Sequence, residues 1–147
     1  MIIVATQRST PAVVQQSTTW PYRRVLMIAE GLIALSALAG SVQLMVAGGG
    51  PFDAELPWGL PNGLIAGLWL FSLVAVPAAV ASWLCWGRST YGPTAVLIAS
   101  TGLGVDVVAQ IPFVGLHVLQ LVFGLIAVGM ALIAVAARRR AWPRPQH

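Results

Sequence analysis

Long apolar runs at residues 25–47, 63–86 and 93–137 set the plan of this chain. The last is the most informative, because Asp106 is its only charge. As a single helix it would measure about 67 Å at ~1.5 Å per residue, more than twice the ~30 Å hydrocarbon thickness of a bilayer. It must therefore fold back. Its best break is Ile111-Pro112-Phe113-Val114-Gly115, since proline lacks the N–H a helix needs, biases its predecessor away from helix, and glycine accepts a tight turn. The two earlier runs are each long enough to span. The pattern predicts an all-α membrane protein with four transmembrane helices, about 25–47, 63–86, 93–110 and 116–137. Residues 1–24 then form a flexible cytoplasmic arm, 25–140 the four-helix bundle with an external loop at 48–62, and 141–147 a cytoplasmic tail.

Composition removes the alternative of a soluble domain: 58% of residues are apolar and only 8% charged, against ~25% charged in ordinary soluble domains. All basic residues are arginine, a usage that fits a GC-rich bacterial genome. A pI near 10.7 can point to nucleic acid, but the positions of the arginines point to topology instead. Arg8, Arg23 and Arg24 precede the first run, Arg88 separates the second from the third span, and Arg138, Arg139, Arg140 and Arg144 follow the last. With four spans all of these share one side, and the other side receives Asp53 and Glu55. The positive-inside rule places both termini in the cytoplasm, so a multi-pass protein of a bacterial inner membrane is expected, with membrane lipids as partners and no nucleic acid.

Between the runs the chain is rich in breakers. The loop Gly48-Gly49-Gly50-Pro51-Phe52-Asp53-Ala54-Glu55-Leu56-Pro57-Trp58 cannot hold regular structure. Its Phe52 and Trp58 suit the headgroup layer and offer a docking surface for a partner. Asn62 is placed to cap the second span, and Pro77 should kink it. Tyr22-Arg23-Arg24 is similar to a twin-arginine export signal; with nothing soluble after it, an uncleaved first span is the expectation. The lone Cys85 precludes an internal disulfide and CxxC-type chemistry. It reads as a small apolar residue near the interface, with lipid attachment or metal binding as alternatives.

The polar residues inside the spans are few. Asp106 lies roughly 20 Å from Pro93 along its helix, while Gln43 and Gln120 are each about four residues from the opposite ends of theirs, which puts the three at nearly one level. With Gln110 and His117 just beyond, they are expected to form an intramembrane polar layer. Gly102, Asp106 and Gln110 share one face of the third span; His117, Gln120, Gly124, Ala127, Ala131 and Ala134 share one face of the fourth. A stripe of Ser36, Gly40, Gln43 and Ala47 marks the first span as a close-packing face. An intramembrane carboxylate normally faces protein or water, so Asp106 is expected to be a hydrogen-bonded knot, a proton or ion site, or a contact with a partner.

Glu30 points nearly opposite to Gln43, since thirteen residues at about 100° leave some 220° between them. It differs from Asp106 by roughly 10 Å in depth, so the two cannot act as a catalytic carboxylate pair. No nucleophile–base pair, phosphate loop or metal-ligand spacing is present, so no enzyme activity, metal or cofactor is expected. Ala29-Glu30 early in the first of four short spans resembles the small multidrug resistance transporters, in which such a glutamate couples proton and cationic drug; the third span here lacks that family's stacking aromatics. The layout over 25–140, with arginines before the first span, a Pro/Trp loop, Gln110 and Gln120, is also similar to uncharacterised four-helix membrane proteins of actinobacteria, which implies membrane location and no known activity. The expected role is a non-catalytic accessory or assembly subunit of a larger membrane complex, joined to other subunits or to itself. The alternative is a small oligomeric proton-coupled transporter using Glu30 or Asp106.

Overall fold

The structure, a computed structural model, describes residues 22–47, 62–114, 116 and 118–141. Phe52, Trp58 and His117 lie outside the described residues, as does the side chain of Arg140. The elements are α1 (Arg23–Ala47), α2 (Asn62–Leu70), a π-helical turn (Phe71–Ala75), α3 (Val76–Trp86), α4 (Gly92–Val114) and α5 (Val118–Ala141). The α2–π–α3 segment is one continuous rod. Among the described residues four helical segments are long and apolar enough to cross a membrane: Arg23–Ala47, Gly63–Trp86, Gly92–Pro112 and Val118–Arg139. Large apolar side chains line their outer faces, Leu32, Leu35, Leu125 and Leu132 among them. So much outward apolar surface suits lipid and would drive aggregation in water. All elements among the described residues are helical, and the chain is a multi-pass integral membrane protein.

The hairpin turn lies later than the proline suggests. The third span continues through Pro112 to Val114, and the fourth begins at Val118 and runs to Ala141. Pro112 stands in the last turn of α4, where its missing N–H costs only the bond to the carbonyl of Val108 and few later bonds remain to be disturbed. Proline near a helix end is therefore a weaker stop than proline in the middle.

Pro77 acts differently. Being unable to donate to the carbonyl of Leu73 four residues earlier, it is preceded by a π turn, in which the N–H of Val76 reaches back five residues to the carbonyl of Phe71. Such wide turns accommodate a disturbed hydrogen-bond ladder within a continuous helix. The Leu73 carbonyl faces α4, and a Cβ placed on Gly102 would come within 2.5 Å of that oxygen. The π turn and Gly102 together let two backbones approach more closely than side chains would allow.

At the end that carries the arginines, Leu26, Ala81, Cys85, Val96, Ala99, Met130 and Ala134 form one apolar cluster contributed by every span. Further along, Ala37, Val74, Ala75, Leu103 and Ala127 form a second. Polar bonds fasten the first end: Ser82 Oγ donates to the Met27 carbonyl (2.9 Å), and Arg23 Nη1 donates to the carbonyls of Cys85 (2.8 Å) and Trp86 (3.0 Å). Arg23 thus caps the C-terminus of α3, where unpaired carbonyls and the helix dipole favour a cation. The chain then turns with Ser89 N–H bonded to the Leu84 carbonyl and Arg88 N–H to that of Cys85. This is the Schellman pattern, with Arg88 at the left-handed position (φ 55°) where glycine is usual.

Neighbours along the ring are α1 against the α2–π–α3 rod, the rod against α4, and α4 against α5. The ring is not closed, because α1 and α5 barely touch. This opening shapes the site.

Candidate functional site

A cavity of about 280 Å³ lies beside the opening and is walled by all four spans. From α1 come Ile33, Ser36, Ala37 and Gly40. Leu70 and Val74 of the rod and Leu103 and Val107 of α4 extend the apolar wall, which Leu119 and Phe123 of α5 complete. Polar atoms enter from Asp106 and Gln110 on α4 and Gln120 on α5. Ser36 and Leu119 are exposed although they line the cavity, which marks its mouth between α1 and α5.

Asp106 is only 4% exposed. It sits on the buried face of α4 one turn beyond Gly102, the residue that lets α4 approach the π turn, so the close packing also fixes the depth of the carboxyl. Gln110, one turn further on, donates from Nε2 to Asp106 Oδ2 at 2.8 Å. The side chain of Trp69 on α2 is also a hydrogen-bond partner of this carboxyl group. Both partners are donors, so the group is held as an acceptor. Gln120 is buried on the neighbouring helix and lines the same space.

Asp106, Gln110 and Gln120 are thus brought together, and Gln43 is not. The buried positions of α1 are Leu26, Glu30, Ala37 and Ser41, whose spacing follows the 3.6-residue repeat. Burying Glu30 turns Gln43, some 220° away, to the outside, and Gln43 is exposed. The expectation of Gln43 in the inner layer is corrected accordingly; Ser41, bonded to its own helix at the Leu38 carbonyl (2.8 Å), faces inward at that end of α1. The small-residue stripe of α1 is divided: Ser36 stands at the mouth of the cavity, Gly40 lines it against Leu70, and Gln43 and Ala47 continue on the outer surface.

Glu30 is the second buried acid, 1% exposed, on a helix face that includes Leu26. Its Oε1 is the one buried side-chain polar atom with no hydrogen-bond partner among the described residues. Glu30 and Arg23 are both close enough to act electrostatically on Cys85, itself fully buried. Glu30 does not line the cavity, so the two acids occupy separate levels of the bundle. Among the described residues no three His, Cys, Asp or Glu side chains converge as a metal site would require. Arg23, Arg24, Arg88, Arg138 and Arg139 stand at the ends of helices on one side of the bundle.

No family model, curated protein or solved structure matches the chain.

The signal that sequence reasoning passed over was the opening itself. Nothing in the apolar run 63–86 singles out Trp69, and its reach to Asp106 depends on how two helices pack, which a pattern along one helix does not contain.

Proposed function

We propose that this chain is a non-catalytic accessory or assembly subunit of a larger membrane complex. The observation that carries this reading is the unclosed ring. Where α1 and α5 should meet there is a cavity with a buried carboxyl on its floor and small residues at its mouth. Small residues favour close approach of another helix in lipid, where association is driven by packing and interhelical hydrogen bonds. Gln43, an amide on the outer surface of the same helix, gains a partner when a neighbour covers it. Extraction of the tagged chain in gentle detergent tests the reading. An assembly larger than the 15.4 kDa chain is expected; a lone monomer contradicts it.

The same reading takes the protein to reside in a bacterial inner membrane with both termini in the cytoplasm, supported by the described arginines, Arg23, Arg24, Arg88, Arg138 and Arg139, which stand at one end of the bundle. A second reading, a small oligomeric proton-coupled transporter, is favoured by the unpartnered oxygen of buried Glu30, because intramembrane acids without a structural partner are common in proton relays. Unchanged proton-coupled uptake in vesicles after Glu30→Gln and Asp106→Asn disposes of it.

A further inference from the structure

We infer that the opening between α1 and α5 receives a transmembrane helix of a different chain, one carrying a lysine or arginine inside its apolar stretch, whose cationic group enters the cavity and meets Asp106. The inference rests on the accessory-subunit reading and specifies the chemistry of the partner.

The first support is the charge. Among the described residues Asp106 is the only one with an ionisable side chain lining the cavity. Its described partners, Gln110 and Trp69, are both neutral donors, which leaves the carboxyl group an acceptor with no counter-cation among the described residues. An acid at membrane depth is normally paired, and its complement here is a cation.

Size comes next. A cavity of about 280 Å³ admits a long side chain from a helix lying outside it. That helix lies across the mouth, over Ser36 of α1, whose short side chain does little to obstruct it. Continuing along α1 it covers Gln43, the exposed amide otherwise left to face lipid.

The third point identifies the partner as a different chain. This sequence has no lysine, and all its arginines lie outside the apolar runs. No span of a second copy carries a lysine or arginine to the depth of Asp106, so self-association does not supply the pair.

The test uses the full chain in phosphatidylcholine vesicles and leucine-rich transmembrane peptides of about 20 residues, one with a single central lysine and one with leucine there, with association read by energy transfer. The lysine peptide should associate at least about tenfold more tightly, as expected for a desolvated charge pair. Asp106→Asn should abolish the difference, while still offering an oxygen to Gln110; circular dichroism checks that the variant is folded. Ser36→Phe, which fills the mouth on α1, should weaken association of the lysine peptide. Equal association of both peptides overturns the inference, and so does a lysine preference that survives Asp106→Asn. Saturable binding of dodecylammonium at Asp106 without any peptide preference also overturns it, assigning the cavity to a small amphiphile. If any of these occurs while the tagged chain is still recovered in a larger assembly, only the basic helix is lost; recovery as a monomer removes the accessory reading itself.

Discussion

A methyl group added at Gly102 has nowhere to go, since its ideal position is 2.5 Å from the Leu73 carbonyl oxygen, a backbone atom that cannot swing aside. Gly104, two residues on, has nothing within 4 Å. Gly102→Ala should therefore cost about 1–3 kcal/mol, the usual range for overpacking, while Gly104→Ala changes stability by no more than ~0.5 kcal/mol. Denaturant unfolding in bicelles, compared for the two variants, checks this pair. Glu30 gives a prediction of the opposite sign. A buried acid with an unpartnered oxygen weakens the bundle, so Glu30→Met, close in volume and apolar, should stabilise by about 1–3 kcal/mol; a loss instead would mean that the carboxyl is structurally bound. At this scale the sequence is a partial guide. Asp106 was legible because it is the only charge in its run and an isolated acid has to be sheltered. Gln43 was not, because when helices sit in lipid both faces are apolar and hydrophobicity no longer separates inside from outside. Of two polar residues on opposite faces of α1, only packing shows which is buried.

Elements show the same division. Lengths and number of spans follow from bilayer thickness and the helical rise, and those were readable. Interruptions depend on context: Pro112 is absorbed in a last turn, and Pro77 is preceded by a π turn that brings the Leu73 carbonyl against α4. A proline in a sequence announces a missing donor and leaves open how the neighbouring turns respond. The turn after α3 carries a further prediction. Arg88 holds a left-handed conformation (φ 55°) that costs a residue with a Cβ about 1–2 kcal/mol. Arg88→Gly should raise stability by about 1 kcal/mol, measurable in the same unfolding assay. An arginine there is intelligible if its charge matters more than the strain, since it is the only basic residue between the second and third spans. Arg23→Met, in contrast, removes two donors from the end of α3 and should destabilise by about 1–2 kcal/mol.

For the whole molecule, the arrangement is a ring of four spans fastened at the arginine end and open at one seam. The fastened end holds an apolar cluster from every span, the Ser82–Met27 bond and the Arg23 cap. The seam leaves Asp106, Gln110 and Gln120 around a cavity whose mouth is lined by small side chains on α1. None of this opening is visible along the sequence, because it depends on which helices are neighbours, and every span is apolar enough to be any other's neighbour. Orientation is a separate matter. Reporter fusions at residues 1 and 147 should both report the cytoplasm, and one in the 48–62 loop the opposite side; opposite locations for the two termini would contradict an even number of spans.

A seam filled by another chain through Asp106 is what sets this bundle's proposed role apart from that of a lone four-helix protein. Native mass spectrometry of the tagged protein released from its own membrane tests it most directly. The predicted result is a complex in which the 15.4 kDa chain is joined in fixed ratio to a different chain whose apolar span contains a lysine or arginine, and from which Asp106→Asn is released. A monomer, or a complex made only of copies of this chain and unchanged by Asp106→Asn, would contradict it.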